Sequence, residues 1–291
     1  MKTTLIILSL FFSILASAKM SIKPRVVYGI DDRMDVYESS DALMKDLSKS
    51  VAAQILDNSF TLENDIFNLD KRTLSDDGMC KSERFSAQPA SATCSGFLIA
   101  KNLLVTAGHC VREVSQCQDH SWVFDYANYQ QVENSFAFKK EQMFKCVEIV
   151  SRVKDNATGL DFAVLKLDRE VVGRKALQIR KTGKVDDNAV LTVLGFPSGI
   201  PLKITTGATV RDNSNPNFFV MNSDTYGGNS GSAVVDTRTG IVEGILVRGD
   251  TDFEQAPNED CYQSVKRTND NGRGEDATRI TLIFQNKKQS K

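Results

Sequence analysis

The stretch Asp224-Thr225-Tyr226-Gly227-Gly228-Asn229-Ser230-Gly231-Ser232-Ala233-Val234-Val235 is a glycine-rich turn that leads into an apolar run. Glycines on both sides of Ser230 permit backbone conformations that other residues rarely adopt, and they leave the serine hydroxyl accessible. Such a turn can direct the N–H groups of Gly228 and Ser230 at one point, as an oxyanion requires. Taken alone, it is equally typical of an ordinary loop before a strand.

Length and composition indicate a globular protein. The chain has 291 residues, of which 41% are hydrophobic, which is ample for a packed core. Its formal net charge of −1 gives no indication of a nucleic-acid partner. With only two histidines, His109 and His120, and cysteines better suited to disulfides, we predict no metal site and no cofactor.

The N-terminus has the pattern of a secretory signal peptide at residues 1–18. A charged start is followed by the apolar run from Leu5 to Leu15 and by the small residues Ala16-Ser17-Ala18. The run is too short for a comfortable membrane span, so we predict secretion to an extracellular or periplasmic location after cleavage near Ala18, with no membrane partner. The six cysteines would then form three disulfides.

Residues 19–79 differ from the rest of the chain. Ser40-Asp41 can cap a helix start, and apolar residues recur every four positions behind it, which predicts one amphipathic helix over roughly 41–57. These apolar residues are Leu43, Leu47, Val51 and Ile55. The segment is either a propeptide removed on maturation or a permanent extension packed onto the rest.

After Cys80 the sequence has the pattern of a β protein. Short apolar runs separated by Gly, Asp, Asn and Pro predict the strands of a sandwich or barrel. The runs are Ser95–Ala100, Leu103–Ala107, Ser121–Tyr126, Phe144–Val150, Phe162–Leu167, Ala189–Leu194, Phe218–Met221, Ser232–Val235 and Ile241–Val247. Glu275–Gln285 fits either a helix or a strand.

Two further polar residues, like Ser230, lie directly beside a short apolar run. His109 lies where the apolar run Leu104–Ala107 ends, and Asp161 heads the apolar run that continues to Leu167. Burying a carboxylate is costly without a partner, and an imidazole N–H is a suitable one. A serine becomes a good nucleophile when a histidine removes its proton, and that histidine must itself be oriented by an acceptor. The three residues together therefore predict a catalytic triad.

The order His109, Asp161, Ser230 excludes two other arrangements. An α/β-hydrolase has its histidine after the nucleophile, and no histidine follows Ser230. The subtilisin order requires an aspartate before His109, where the sequence has no comparable strand-borne Asp.

Three motifs resemble those of chymotrypsin- and trypsin-like serine proteases, in particular the secreted bacterial branch that includes the glutamyl endopeptidases. They are Thr106-Ala107-Gly108-His109-Cys110, Asp161-Phe162-Ala163-Val164-Leu165 and Gly228-Asn229-Ser230-Gly231-Ser232. The resemblance covers about Cys80 to Gly249. It implies an all-β fold of two six-stranded antiparallel β-barrels with an N-terminal helical extension, the first barrel over 80–178 and the second, with the C-terminal segment, over 179–291.

The same resemblance implies a function and one disulfide. The protein would be a serine endopeptidase acting on protein or peptide substrates through an acyl-enzyme, with an oxyanion hole formed by the backbone of Gly228 and Ser230. Cys94 and Cys110 would be bridged behind His109. The other four cysteines allow three pairings, which the sequence leaves open: Cys80, Cys117, Cys146 and Cys261.

Substrate choice and activation are where the chain departs from its relatives. Asp224 lies where trypsin-like enzymes bind Arg or Lys, which predicts that preference, while the glutamate-specific relatives place a histidine where this chain has Leu246. We expect Arg248 to lie close enough to neutralise Asp224. Asn229 replaces the aspartate that receives a newly cut N-terminus in trypsin-type activation, so activation of that type is not expected.

Two other functions are alternatives for the same sequence. A non-catalytic binding protein could have the same fold, although all three triad residues are present. An esterase is the second alternative, because the same acyl-enzyme can form from an ester.

Overall fold

A computed structural model describes residues 26–131 and 134–288. The predicted signal peptide, residues 1–18, lies outside the described residues. Within the described part of the chain, no helix is both long and apolar enough to cross a membrane.

The described residues form many short strands and few helices. The strands are β1 Val26–Tyr28, β2 Arg33–Asp35, β3 Val51–Leu56, β4 Phe60–Glu63, β5 Ile66–Leu69, β6 Ala92–Ala100, β7 Leu103–Thr106, β8 His120–Phe124, β9 Ala137–Phe138, β10 Met143–Phe144, β11 Cys146–Lys154, β12 Asp161–Leu167, β13 Val190–Gly195, β14 Lys203–Asp212, β15 Phe218–Met221, β16 Ala233–Asp236, β17 Val242–Arg248, β18 Phe253–Gln255, β19 Tyr262–Arg267 and β20 Glu275–Arg279. The helices are α1 Ala42–Ser48 and α2 Gln116–Asp119, with 3₁₀ turns at Asp57–Ser59, Lys140–Gln142, Pro197–Gly199 and Ile280–Lys288.

The second half of the chain forms a closed barrel. Its strands follow the order β13-β16-β17-β20-β15-β14, and β14 pairs back to β13 to close the ring, with β2 added at the edge of β14. Alternate side chains point into the ring, among them the fully buried Leu191, Phe219, Val234 and Leu246.

The first half forms a curled sheet in the order β10-β8-β3-β6-β7-β12-β11. Its core is dominated by large buried side chains such as Phe97, Trp122, Phe124 and Phe162. Together with the closed second barrel, this confirms the predicted all-β, two-barrel fold. The second barrel closes with six strands, whereas the first is a seven-stranded curled sheet within the described residues.

The prediction of a helix over 41–57 is wrong beyond Ser48, where the helix ends. Asp41 does cap a helix, because its Oδ1 accepts hydrogen bonds from the Leu43 and Met44 amides at 2.9 and 3.1 Å. Val51 and Ile55, however, belong to β3, which lies between β8 and β6. Residues four apart share one face of a strand as well as of a helix, so the spacing fitted both.

The N-terminal segment is shared between the two halves of the molecule. β1 pairs in parallel with β19, β2 pairs with β14 of the second barrel, and β3 is an internal strand of the first sheet. Loss of all residues up to 79 would therefore remove a strand from the middle of a sheet.

Several features were open or missed in the sequence. The six cysteines form three disulfides, Cys80–Cys261, Cys94–Cys110 and Cys117–Cys146. The segment Glu275–Gln285, which fitted either a helix or a strand, contains a strand and a helical turn, since β20 ends at Arg279 and a 3₁₀ turn follows. The ten-residue strand β14 was not predicted, because its sequence Lys-Ile-Thr-Thr-Gly-Ala-Thr-Val-Arg-Asp has few apolar residues.

Candidate functional site

His109 lies in a tight loop directly after β7. Gly108 makes the loop possible, because a Cβ at this position would lie 2.1 Å from the Val153 carbonyl oxygen. The absence of a side chain lets the loop lie flat on the edge formed by β11 and β12. Arg152 of β11 adds a hydrogen bond of 2.7 Å from its Nε to the Gly108 carbonyl oxygen.

Asp161, the first residue of β12, holds His109 at two points. Its Oδ1 accepts a hydrogen bond from the His109 amide at 3.0 Å, and its Oδ2 lies 2.8 Å from Nδ1 of the ring. The side chain of Asp161 is only 1% exposed. Burial raises the pKa of this carboxyl, but the hydrogen bond from His109 and the charges of His109 and Lys154 outweigh burial, so that the pKa is lowered overall.

The ionised state of Asp161 determines which ring nitrogen of His109 can accept a proton. An ionised carboxylate only accepts hydrogen bonds, so Nδ1 of His109 carries the proton. In the neutral ring, Nε2 is then left as the unprotonated nitrogen. His109 can therefore take up a proton on the side of the ring that faces away from Asp161.

The turn that carries Ser230 packs against β6 and the end of β7 in the first sheet. The Ser95 amide of β6 donates a 2.8 Å hydrogen bond to the Ser230 carbonyl oxygen. Gly231 has φ +92°, and a Cβ there would lie 2.0 Å from the Ser95 carbonyl oxygen and 3.0 Å from the Ala107 amide. The glycine therefore brings the serine turn next to the loop of His109.

The peptide groups on the N-terminal side of Ser230 are anchored. The Gly227 amide donates to Asp252 Oδ2 at 2.9 Å, and the Gly228 carbonyl oxygen accepts a hydrogen bond from Ser95 Oγ at 2.8 Å. In contrast, within the described parts of the chain the amides of Gly228 and Ser230 have no protein acceptor. These are the two N–H groups that the resemblance assigns to an oxyanion hole.

Ser95 and Asp252 were missed by the sequence analysis. Ser95 also accepts a 3.1 Å hydrogen bond from the Phe196 amide, so one hydroxyl joins two loops. Neither residue stands in a recognisable motif, and only the fold brings them to the turn.

Asp224 is placed differently from what we expected of a pocket residue. It is 2% exposed, and its two carboxylate oxygens accept hydrogen bonds from the amides of Tyr28 at 2.6 Å and Asp32 at 3.1 Å. The Arg33 guanidinium lies 4.3 Å from the ring centre of Tyr226. Backbone amides of the N-terminal segment thus bind the carboxylate that the sequence assigned to substrate binding.

Leu246 and Arg248 are also engaged in other contacts. Leu246 is fully buried in the second core, and its carbonyl oxygen accepts a 2.7 Å hydrogen bond from the Gly231 amide. Arg248 pairs with Asp276 at 2.6 Å and donates to the Gly159 carbonyl oxygen at 2.9 Å. Arg248 and Asp276 face each other in the register of β17 and β20, which directs the guanidinium to Asp276 rather than to Asp224.

A pocket of about 480 Å³ opens beside Gly228. Much of its wall is apolar. Part of that wall is held by a parallel β-bridge between Met79 and Tyr262, next to the Cys80–Cys261 disulfide. The lining residues include Leu74, Met79, Ala92, Phe253 and Tyr262. Leu74 and Met79 come from the segment that the sequence analysis had set apart from the site.

The described residues also contain two groups of cysteine, histidine and glutamate side chains close enough to suggest metal ligands. Cys94 and Cys110 lie near His109, and Cys80 and Cys261 lie near Glu259. All four cysteines are in disulfides, so they offer no thiolate to a metal.

Comparisons with known proteins identify one protein family that this chain matches. The family model of the trypsin-like peptidase domain matches residues 94–245. Among solved structures, the chain is similar to a Glu endopeptidase in complex with MPD, with 18% identity and a TM-score of 0.49, over 89% of this chain and 96% of that one. It is also similar to an active-form protease from M. tuberculosis, with 14% identity and a TM-score of 0.45, over 91% of this chain and 90% of that one. No curated protein sequence matches the chain.

Proposed function

Because the chain belongs to the trypsin-like peptidase family, we propose that it is a serine endopeptidase that hydrolyses peptide bonds through an acyl-enzyme. The observation that carries the proposal is the double hydrogen bond between Asp161 and His109, together with the packing of the Ser230 turn at the end of β7, just before the loop of His109. An oriented base close to a serine on a glycine turn is the arrangement that a nucleophilic serine requires, and this supports the proposal.

In the proposed mechanism, Ser230 attacks the peptide carbonyl carbon while Nε2 of His109 takes the hydroxyl proton. His109 then passes that proton to the leaving amine, and a water molecule repeats the sequence on the acyl-enzyme. Asp161 stays ionised throughout, holds the ring in one orientation and stabilises the imidazolium that forms.

The amides of Gly228 and Ser230 would stabilise the negative oxygen of the tetrahedral intermediate. Each donor of this type contributes a factor of roughly 10²–10³ to the rate. Since Ser95 and Asp252 hold the adjoining peptide groups, little reorganisation is needed when the charge develops.

The substrates would be proteins or peptides, with one side chain bound in the pocket beside Gly228. A preference for Arg or Lys before the scissile bond stays a prediction based on Asp224. The amides of Tyr28 and Asp32 already bind this carboxylate, so a basic side chain would have to share it. Mapping cleavage sites on a denatured protein tests the preference, and cuts spread over other residues would reject it.

We also propose that the protein is secreted. The predicted signal peptide and the three disulfides both support an oxidising compartment. Sequencing the N-terminus of the protein recovered from the medium would identify the mature form, and recovery only from the cell interior would contradict secretion.

The decisive experiment is labelling with a fluorophosphonate, which reacts with activated serines. Labelling should be lost in Ser230→Ala and retained in Ser214→Ala, because Ser214 is exposed and its hydrogen bonds go to Asp212 and Lys184. Hydrolysis of casein should follow the same pattern. If Ser230→Ala is still labelled, Ser230 is not the nucleophile, and if the parent is neither labelled nor active, a non-catalytic binding protein is favoured.

A further inference from the structure

A lysine pairs with the carboxylate that holds His109. Lys154 is the last residue of β11 and faces Asp161, the first residue of β12, in the register of the two strands. Its Nζ lies 3.1 Å from Asp161 Oδ2, the same oxygen that lies 2.8 Å from His109 Nδ1. The ammonium and the imidazole therefore share one carboxylate oxygen.

The position of Lys154 follows from the strand pairing. Residues directly opposite each other on antiparallel strands place their side chains on one face, within reach of each other. Lys154 is 30% exposed at the side chain, whereas Asp161 is 1% exposed. The lysine therefore covers the carboxylate from the solvent side, and its ammonium can pair with Asp161 while it keeps contact with water.

The rest of β11 supports the same loop. Arg152 donates to the Gly108 carbonyl oxygen, and the Val153 carbonyl oxygen lies against Gly108. Three consecutive residues of this strand thus contact the His109–Asp161 pair or the loop that carries it.

We propose that Lys154 is a positioning residue, which holds the Asp161 carboxylate in the orientation that receives His109 and opposes protonation of the His109–Asp161 pair. The consequence for activity rests on the proposed function, whereas the effect on the pair itself does not.

The sign of the effect follows from the charges around the pair. Within residues 26–131 and 134–288, Asp161 on β12 contributes the one negative charge in direct contact with His109, and Lys154 and Arg152 on β11 are the nearby cations. Arg248 lies beyond Gly159 and is paired with Asp276. A proton taken up by the pair adds positive charge beside the Lys154 ammonium, so the cation keeps the pair unprotonated to lower pH.

Replacement of the lysine should therefore narrow the active pH range from the acid side. In Lys154→Met we expect the acid limb of the kcat/KM profile to move up by about half to one pH unit, with a smaller change at high pH. Lys154→Arg should keep the parent profile, because it keeps the cation. Lys166→Met is the matched control, since Lys166 lies on β12 and pairs at 3.7 Å with the exposed Glu148, away from Asp161.

A second measurement needs no activity. The chain has two histidines, so their ring signals in an NMR titration can be assigned to His109 and His120, and His120 serves as an internal reference. In Lys154→Met the pH at which the His109 signals change should rise while that of His120 stays the same. A variant that has merely lost stability would show no selective change of this kind.

The outcomes separate this inference from the proposed function. A selective shift of His109 without peptide hydrolysis would support the role of Lys154 and reject the endopeptidase. An active protein whose His109 signals and acid limb are unchanged in Lys154→Met would overturn the role of Lys154, as would an equal shift in Lys166→Met.

Discussion

The carboxylate of Asp224 accepts a 2.6 Å hydrogen bond from the amide of Tyr28, a residue 196 positions earlier in the chain. The Asp32 amide donates to the other oxygen. Since Asp224 begins the stretch that carries Ser230, the N-terminal segment and the proposed nucleophile are joined by direct contacts. The order of the serine turn should therefore depend on residues near the start of the described chain.

The two acidic groups at this junction, Asp32 and Asp224, predict a contribution to stability that falls as pH rises. Burial and the nearby charge of Asp224 raise the pKa of Asp32 to about 8, and burial raises that of Asp224 to about 6. Between about pH 4 and pH 8 these two carboxyl groups then hold more protons in the folded protein than in the unfolded chain, so their contribution to the free energy of unfolding decreases with pH. Asp32→Asn removes the titrating group, and its thermal midpoint should exceed that of the parent by an amount that grows over this range.

Asp70→Asn provides the control for that experiment, because Asp70 is exposed. Its effect should be small and independent of pH. A gain for Asp32→Asn that is the same at about pH 5 and about pH 8.5 would contradict the linkage, because a pH-independent gain cannot arise from proton binding.

The contact between Gly231 and β6 predicts a large effect of one methyl group. In Gly231→Ala the new Cβ would meet the Ser95 carbonyl oxygen and Thr106 Oγ1, at 2.0 and 2.3 Å in the present backbone. Gly173 has a similar positive φ of +79° but nothing within 4 Å of an added Cβ. Urea unfolding should show a loss of about 1 kcal/mol for Gly173→Ala and about 3 kcal/mol or more for Gly231→Ala. Equal losses would mean that backbone conformation, not contact, determines the cost.

Arg248 predicts coupling between the two halves of the molecule. Its guanidinium joins Asp276 of the second barrel to the Gly159 carbonyl oxygen of the first half, and Asp276 is nearly inaccessible to solvent. Arg248→Met should lower the free energy of unfolding by about 3 kcal/mol, because a buried carboxylate loses a partner. Arg273→Met removes the other, more exposed partner of Asp276 without touching Gly159, and should cost less than about 1 kcal/mol. The reverse order would contradict a role of Arg248 between the two halves.

The sequence predicted what depends on local patterns. All nine apolar runs overlap strands of the structure, with Phe144–Val150 covering parts of both β10 and β11, because short buried strands bounded by Gly, Asp and Asn are encoded locally. Where one spacing fitted two structures, as for Val51 and Ile55, the prediction failed, and pairing with β6 and β8 decided the outcome. The His109–Asp161 contact was predictable from chemistry. A nucleophilic serine requires a histidine oriented by an acceptor, and only His109 and Asp161, both beside apolar runs, fitted these two roles.

The surroundings of the site could not be predicted in the same way. Asp224 has a motif position that suggests a substrate pocket, but its partners are backbone amides, which carry no sequence signal. Lys154 reads as an ordinary charged residue at a strand end, and only the register of β11 with β12 brings it to Asp161. Contacts of this kind are set by tertiary packing and are visible only in the structure.

The pairing of β1 and β2 also has a consequence for biosynthesis. These strands leave the ribosome early, but their partners are Lys203–Thr205 in β14 and Val265–Arg267 in β19. A nascent chain folds from its N-terminus at the pace of translation. Since the Tyr28 and Asp32 amides that bind Asp224 are held in place by these pairings, the surroundings of Ser230 are completed only after residues up to Arg267 have been made.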